Sequence, residues 1–278
     1  MTDKNKQNLE EPQDPTVQES IQKILQRWGS VIWDFADYLG GVALLGVRNF
    51  QALFVYPLDF RYVVKQVYEI GVKSFTLTSL VAIFTGMVMA LQLIVGLKRF
   101  GLELYTGQIV GVAITRELGP VLTALMMASR VGSGIAAEIG SMEVSEQILA
   151  IRAMGGSPIA KLVVPRILVT MIVTPILTVM AIIIGIIGGM IVTMSEAGIT
   201  SRFYFDQIKS TIQVYDFLSG VGKTVFFGFF IGAIACYQGL NTTKGTKGVG
   251  DATTKTVVIC SIVIFISDFF LTKLFLLF

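Results

Sequence analysis

Long uncharged apolar runs alternate with shorter polar connections along most of the chain. The runs from Ser74 to Leu97 and from Ile167 to Met194 contain no charged residue, and each exceeds the ~20 residues that a helix needs to cross a bilayer. Three further apolar segments complete a set of five predicted spans, at about 72–97, 104–137, 165–194, 217–239 and 256–278. The pattern therefore predicts an all-α, multi-pass membrane protein.

The chain before the first span has a different pattern. Residues 1–15 are polar and predict a disordered tail, whereas within 16–71 apolar residues recur at three-to-four spacing from Val17 to Leu39. This spacing suits an amphipathic helix that lies along the membrane surface, with Trp28 at the level of the lipid headgroups. A helix that docks on a soluble partner is the alternative.

The distribution of positive charge predicts the orientation in the membrane. Lys and Arg are concentrated in the amino-terminal region and in the 138–166 and 240–255 connections, whereas the other two connections hold only Lys98, Arg99, Arg202 and Lys209. Cytoplasmic connections carry an excess of these residues. We therefore expect a cytoplasmic amino terminus and a periplasmic carboxyl terminus.

Composition excludes several kinds of chemistry. The chain has no histidine, and its two cysteines, Cys236 and Cys260, both lie in apolar segments. No reasonable ligand set for zinc, haem or an iron–sulfur cluster remains. We expect no metal or other cofactor in this chain.

Small residues recur at four-residue spacing inside the spans, a pattern that lets helix backbones approach closely. The pairs are Gly107 with Gly111, Ala128 with Gly132, Gly185 with Gly189, and Gly228 with Gly232. They favour a compact bundle or a homodimer, although glycine is also simply common in membrane helices.

Four charged residues lie well inside the predicted spans: Arg116, Glu117, Lys223 and Asp268. A charge in a span costs at least ~2.5–3.5 kcal/mol, so these side chains must face protein or water. Lys223 and Asp268 lie at similar depths and can pair.

Pro120 removes the backbone hydrogen bond to the carbonyl of Arg116, which predicts a bend or unwound turn beside the charges. A purely structural salt-bridge network is the alternative role. Arg130 and Glu138 lie nearer the cytoplasmic face and are expected to anchor helix ends.

The polar stretch between the second and third spans carries several helix-end signals. They predict one cytoplasmic helix of about a dozen residues over 141–156, with an ordinary structured loop as the alternative. The signals are Ser141 as a cap, Glu143 and Glu146 near the positive end, Arg152 near the negative end, Gly155 as a left-handed terminator, and Pro158.

A dense series of motifs covers 113–166, and weaker ones extend from about Val67 to the carboxyl end. The motifs are Arg116–Pro120, Ala128–Gly134, Ala136–Met142, Glu146–Gly155, Pro165 with Arg166, and Thr253–Val257. Together they resemble the MlaE-type permease family, the membrane subunits of bacterial lipid-asymmetry ABC transporters and chloroplast lipid importers.

The resemblance implies a homodimeric permease that moves phospholipids between the inner membrane and a periplasmic carrier and so maintains outer-membrane lipid asymmetry. It implies a cytoplasmic ABC ATPase dimer as partner, which would bind ATP and Mg, a ring of six MCE-domain proteins outside and, in some systems, a STAS-domain regulator. The chain itself would carry out no covalent chemistry. The 141–156 helix would couple to the ATPase through Glu143, Glu146, Ile148, Leu149 and Arg152.

Residue by residue, the resemblance also assigns a lipid cavity. Arg116 and Glu117 correspond to polar residues of that cavity, and Phe100 corresponds to an aromatic residue near its mouth. Lys223 and Asp268 occupy the positions of the family's charged residues on the last two spans. On this interpretation Arg116 attracts lipid phosphate or holds Glu117.

Two other motifs are rejected, and one rival function stays open. Gly220–Thr224 resembles the end of a phosphate-binding loop, but its first glycine is missing and a span follows. Asp216 and Asp251 suggest an intramembrane aspartic protease, yet the topology places them on opposite sides of the membrane. The rival function is a proton-coupled secondary transporter that uses Glu117 and Asp268 as proton carriers.

Overall fold

A computed structural model describes residues 40–52, 60–243 and 245–277, and within these ranges all regular secondary structure is helical. The chain divides into two units, Met1–Leu44 and Leu45–Phe278, and the following description concerns the second. The predicted tail over 1–15, and the predicted surface helix up to residue 39, lie outside the described residues.

Five of the described helices are long and apolar enough to cross a membrane: Phe60–Lys98, Glu103–Val144, Ile159–Ala197, Val214–Leu240 and Gly245–Phe275. This confirms the predicted all-α architecture with five spans. The helices are α1 (residues 40–52), α2 (Phe60–Lys98), α3 (Glu103–Val144), α4 (Gln147–Ala153), α5 (Ile159–Ala197), α6 (Ser201–Thr211), α7 (Val214–Leu240) and α8 (Gly245–Phe275).

The helices extend beyond the predicted spans, mostly at one end of the bundle. α2 begins at Phe60 instead of about residue 72, and α8 begins at Gly245 instead of about residue 256. At ~1.5 Å per residue, α3 is about 63 Å long, roughly twice the thickness of a bilayer's hydrocarbon core. Hydropathy marks only the part of a helix that lies in the hydrocarbon, so it could not define these helix ends.

A wide π-helical turn interrupts α3 at Ile114–Leu118, directly before Pro120. Proline has no N–H to donate, so the regular hydrogen bond to the carbonyl of Arg116 is missing, and the local geometry widens. The predicted irregular turn beside the charged residues is confirmed.

The small-residue positions are used for helix packing inside the chain. A Cβ atom at Gly86 of α2 would collide with the carbonyl oxygen of Gly185 on α5, and one at Gly228 of α7 would meet the backbone of α5 at Thr170. The predicted compact bundle is therefore confirmed. The core beside the π-helical turn is formed by Ala90, Val110, Ile114 and Ile182, contributed by α2, α3 and α5.

The prediction of one helix over 141–156 is wrong. α3 continues through Ser141 and Glu143 to Val144, and the separate short helix α4 covers only Gln147–Ala153. Glu143 therefore lies in the last turn of α3, at the negative end of a helix. Glu146 stands between the two helices with a left-handed backbone, at a φ of 59°.

The remaining end signals of this connection behave as predicted or nearly so. Gly155 has a φ of 76°, in the left-handed region, and Arg152 lies in the last turn of α4. Pro158 stands at the start of α5. Ser141 is not a cap but lies inside α3, because a serine hydroxyl also fits inside a helix and the last part of α3, Ser133–Val144, packs on α7 and α8.

Candidate functional site

Arg116, on the π-helical turn of α3, pairs with Asp216 at the start of α7. The Arg116 guanidinium donates from Nε to Asp216 Oδ1 at 2.8 Å, and its Nη2 donates to the same oxygen. The other carboxylate oxygen, Oδ2, accepts a hydrogen bond from the backbone N–H of Gln213 at 2.9 Å. Asp216 therefore caps α7 and fixes the Arg116 side chain at the same time.

Lys223, on α7, is the centre of a second group of contacts. Its buried ammonium lies 3.0 Å from Glu117 Oε1 on α3 and 3.1 Å from Asp268 Oδ1 on α8. The same Nζ also donates to Thr272 Oγ1 at 2.7 Å and to the carbonyl of Arg116 at 3.2 Å. The carbonyl that Pro120 leaves without its helical partner is thus bonded by Lys223.

Close helix contact explains why Lys223 reaches the π-helical turn. Gly220 lies about one helical turn before Lys223 on the same face of α7. A Cβ atom at Gly220 would collide with the carbonyl oxygen of Thr115. Glycine at this position therefore lets α7 press directly on the turn that carries Arg116 and Glu117.

These five charged groups form a network, here called the ion network: Arg116, Glu117, Asp216, Lys223 and Asp268. Two cations face three carboxylates, so the network carries one formal negative charge in excess when all groups are ionised. Lys223 and Asp216 are buried, whereas the side chains of Arg116 and Glu117 are 41% and 40% exposed. The ion network therefore extends from the buried interior of the bundle to a partly exposed face of the chain at Arg116 and Glu117.

Comparison with known proteins identifies the family. The family model described as Permease MlaE matches residues 63–274, well over half of the chain. The chain belongs to the MlaE permease family. It is an ABC transporter permease, and its five apolar helices make it a multi-pass membrane protein.

Individual relatives agree with this assignment. The "Probable ABC transporter permease protein" of Rickettsia conorii is 39% identical over 241 residues, which cover 87% of this chain and 93% of the relative. The intermembrane phospholipid transport system permease protein MlaE of Haemophilus influenzae is 36% identical over 258 residues, covering 91% and 98%. The chloroplastic protein TRIGALACTOSYLDIACYLGLYCEROL 1 of Arabidopsis thaliana is 35% identical over 218 residues, covering 78% and 62%.

Within this MlaE permease, the structure brings together four of the five residues that the resemblance assigned to a lipid cavity. Lys223 and Asp268 pair directly, a contact that their similar depth allowed and that the sequence left open. Arg116 and Glu117, although adjacent, do not hold each other: Arg116 bonds Asp216, and Glu117 bonds Lys223. Phe100 lies outside the ion network, in the turn after α2, where it lines an open cleft with Leu91, Val95 and Arg99.

Two residues of the site were not predicted from the sequence. Asp216 was placed at the outer edge of its span and considered only as a rejected protease residue. Thr272, which donates to Glu117 Oε1 at 3.2 Å, carries no charge and gave no signal. Asp216 does lie in the first turn of a helix, where a carboxylate is favoured, and that feature could have suggested a cap but not the pairing with Arg116.

The residues of the proposed coupling segment divide into two groups. Ile148 is almost completely buried, so it anchors α4 to the bundle and is not available to a partner protein. Leu149, Arg152 and Glu146 are exposed. Met154, which the sequence prediction omitted, is 78% exposed.

The opposite end of the bundle carries another buried cation. Arg166 on α5 is fully buried, lies 2.8 Å from Glu138 on α3, and donates to the carbonyl of Leu162 at 2.9 Å. Arg130 donates from Nη1 to Ser74 Oγ on α2 at 2.9 Å. Arg130 and Glu138 thus tie α3 to α2 and to α5 respectively, in agreement with the expected anchoring role.

Proposed function

We propose that this permease moves phospholipids between the inner membrane and a periplasmic MCE-domain carrier, and that this transport maintains outer-membrane lipid asymmetry. The observation that carries the proposal is the partial exposure of Arg116 and Glu117 in the middle of an apolar helix. Family membership supplies the transport class, and the printed name of the Haemophilus relative includes phospholipid transport.

The physical reason concerns what can lie against exposed charges in a membrane. Contact with lipid tails would cost at least ~2.5–3.5 kcal/mol per charge, so Arg116 and Glu117 face a polar or water-containing space. A zwitterionic headgroup suits such a space, because its phosphate can approach the exposed part of Arg116 and its positively charged group the exposed carboxylate of Glu117. Acyl chains need apolar volume, which the surrounding helices supply.

The space beside Arg116 and Glu117 would be enclosed by a second copy of the chain. A single five-span chain is small for enclosing a two-tailed lipid, and closed two-fold dimers are the commonest homo-oligomers. In this arrangement the exposed sides of the two ion networks face one cavity, and Phe100 lies near its outer mouth. The two-fold homodimer is part of the proposal.

ATP hydrolysis would take place in a partner. We propose a cytoplasmic ABC ATPase dimer that binds ATP and Mg, an MCE-domain hexamer on the periplasmic side and, in some systems, a STAS-domain regulator. The excess of Lys and Arg in the connections at the α4 end supports a cytoplasmic amino terminus and a periplasmic carboxyl terminus. α4 then lies on the ATPase side, with Leu149 and Arg152 exposed toward the partner.

A second candidate, a proton-coupled secondary transporter, has one observation in its favour. The ion network holds one more carboxylate than cations, so Glu117 or Asp268 could carry a proton. Such a transporter would work without an ATPase and would respond to a proton gradient. Transport that survives removal of ATP, but stops when a protonophore is added, would favour this candidate over the ABC permease.

The proposed function is tested with the complex purified with its partners and placed in vesicles that contain labelled phospholipid. Glu117→Arg replaces the anion beside Lys223 with a cation and should abolish ATP-dependent lipid transfer while the complex still assembles. Glu196→Arg makes the same change at an exposed position near the end of α5 and should leave transfer unchanged. Full transfer by the Glu117→Arg complex would contradict the proposed lipid path.

A further inference from the structure

An open cleft lies between the start of α3 and the short helix α6, at the end of the bundle opposite α4. We call it the α3–α6 cleft. It holds about 350 Å³ of free space. Its lining includes Leu104, Tyr105 and Gln108 of α3 and Phe203, Asp206 and Ser210 of α6. Two aromatic rings and several oxygen atoms therefore border one small space.

The contact between α3 and α6 that forms this cleft is closely fitted. Gln207 of α6 also lines the cleft but is only 7% exposed. Its side-chain Nε2 donates to the carbonyl of Leu104. A Cβ atom at Gly107 would lie only 2.6 Å from Gln207 Oε1, so glycine at this position makes room for the amide. α6 is thus fixed on α3, and the cleft is a constant part of the fold.

Asp206 gives the α3–α6 cleft a net negative charge. It is the one charged residue in the lining, and no Lys or Arg among the described residues lies within ion-pair distance of its carboxylate. Tyr105 and Phe203 are 51% and 44% exposed, so their rings are open to a ligand. Aromatic ring faces attract cations. A carboxylate and two rings around one space suit an ammonium group.

The hydrogen-bonding groups of the cleft favour a primary ammonium over a quaternary one. Ser210 donates its hydroxyl hydrogen to the carbonyl of Gln207 at 2.8 Å, so the lone pairs of its oxygen remain to accept. Gln108 adds an amide oxygen, and Asp206 adds a carboxylate. A primary ammonium has three N–H groups to donate to such acceptors, whereas a quaternary ammonium has none.

The α3–α6 cleft lies where lipid headgroups meet hydrocarbon. No charged residue lies between Glu103, at the start of α3, and Arg116, so the start of α3 marks the membrane boundary. Arg202 and Lys209 lie four residues before and three residues after Asp206, which places them on the same side of α6. An ammonium in the cleft would therefore have cations nearby for an attached phosphate.

We infer that the α3–α6 cleft binds the headgroup of a phospholipid that carries a primary ammonium, such as ethanolamine. The ammonium pairs with Asp206 between the two rings, and the phosphate lies toward Arg202 and Lys209. Binding at this cleft does not require transport. Only its use in selecting lipid at the periplasmic end would rest on the proposed function.

The test compares two leucines near the start of α3. A photoreactive residue is placed at Leu104, which lines the cleft, or at Leu102, which is 44% exposed but does not line it. The full complex is placed in vesicles with equal amounts of phosphatidylethanolamine and phosphatidylglycerol that carry identical acyl chains, and the lipid adducts are quantified by mass spectrometry. Because Leu102 reports the intrinsic reactivity of each lipid, the difference between the two positions reports on headgroup binding.

We expect the ratio of phosphatidylethanolamine to phosphatidylglycerol adducts to be roughly threefold higher at Leu104 than at Leu102, as suits an exposed carboxylate and aromatic rings. Asp206→Asn should reduce the Leu104 ratio to that of Leu102. Asp251→Asn makes the same change at an exposed position at the other end of the bundle and should keep the enrichment. Unchanged labelling at Leu102 in the Asp206→Asn complex verifies that the chain has inserted. Full enrichment in that complex would overturn the inference.

The aromatic wall is tested in the same way. Phe203→Leu should reduce the enrichment at Leu104 only in part, because Asp206 remains. Phe205→Leu makes the same change at a ring of α6 that does not line the cleft and should leave the enrichment unchanged. Equal enrichment in the two variants would overturn the placement of the ammonium beside Phe203.

A soluble competitor separates the lipid from a free compound with the same chemistry. Phosphoethanolamine added at millimolar concentration should leave the Leu104 ratio unchanged, because the bilayer holds its headgroups at a much higher local concentration. Loss of the enrichment would keep the ammonium chemistry but overturn the lipid as its source.

Other outcomes separate this inference from the proposed function. Equal ratios at Leu104 and Leu102 in a complex that still transfers lipid with ATP would overturn the cleft site and leave the proposed function standing. Adducts at Leu104 that lead only to protein would also overturn it, because the cleft would then be a protein interface. Enrichment at Leu104 in a complex without ATP-driven transfer would support the cleft site and contradict the proposed function.

Discussion

Lys223 is the residue on which the ion network depends most directly. It is buried, and among the residues that the structure describes it alone places a cation between the carboxylates of Glu117 and Asp268. Buried ion pairs add little net stability over a neutral core, but removing one partner leaves a buried charge without compensation. The consequences of mutation therefore depend on which charges are left behind.

We expect Lys223→Met to lower the free energy of unfolding by about 3–5 kcal/mol, because two carboxylates then face each other without a cation. Adding Glu117→Gln and Asp268→Asn to the same protein should recover most of the loss. The measurement is denaturant unfolding in detergent micelles. If Lys223→Met is as stable as the unaltered protein, the cation does not hold the carboxylates as described.

Asp216 combines two roles that can be separated by mutation. Asp216→Asn keeps an acceptor for the backbone N–H of Gln213 but removes the charge that pairs with Arg116. Asp216→Ala removes both and should be less stable than Asp216→Asn by about 1 kcal/mol, the usual contribution of a helix cap. Unfolding of the two variants under identical conditions gives the difference, and equal stabilities would remove the capping role.

Sequence reasoning located most of the charged residues of the site but only some of their contacts. A charge in an apolar run is conspicuous, and equal depth was enough to pair Lys223 with Asp268. The partner of Arg116 could not be found in this way, because Asp216 is a hundred positions away and the contact depends on how the start of α7 packs against α3. Neighbours in sequence, such as Arg116 and Glu117, point to different partners because adjacent residues of a helix do not face each other.

At the scale of elements, the connection from α3 to α5 shows what helix-end signals can and cannot define. Gly155 ended a helix as predicted, because a left-handed residue requires little more than local geometry. Ser141 did not start one, because it belongs to the last part of α3, Ser133–Val144, which packs against two other spans. Residue preferences for helix ends are weak compared with tertiary contacts, so a helix that packs well extends through them.

We expect Glu146→Lys to weaken ATPase association or to uncouple hydrolysis from lipid transfer. Glutamate and lysine both disfavour the left-handed φ of Glu146 to a similar degree, so the change tests charge without changing backbone strain. The measurements are copurification of the ATPase, its hydrolysis rate and lipid transfer by the same complex. Glu196→Lys is the charge-reversal control. If all three measurements are normal for Glu146→Lys, the linker before α4 has no coupling role.

At the scale of the whole molecule, the small-residue pairs no longer argue for a dimer. Gly185, Gly189, Gly228 and Gly232 are occupied by contacts inside the chain. The argument for a second copy rests instead on the exposed parts of Arg116 and Glu117. These charged groups cannot face lipid tails without a large cost in free energy. The number of spans was predictable from hydropathy, whereas the face that we propose a second copy covers depends on which charges the fold leaves exposed.

The two-fold arrangement predicts a crosslink at the outer end of α2. Cys236 and Cys260 are both buried, so a cysteine-free background is made by replacing them with alanine, and Phe100→Cys is then added. Phe100 is 76% exposed and is expected near the mouth of the shared cavity, where the two copies approach each other. Oxidation of the assembled complex should therefore yield a disulfide-linked dimer of this chain. Met154→Cys, at a site that is 78% exposed just after α4 at the opposite end, is the matched control. It should stay monomeric, because two coupling helices on separate ATPase subunits would lie far apart. A complex in which Phe100→Cys and Met154→Cys give equally little dimer, while lipid transfer continues, would show that the permease does not enclose its lipid between two copies in this way.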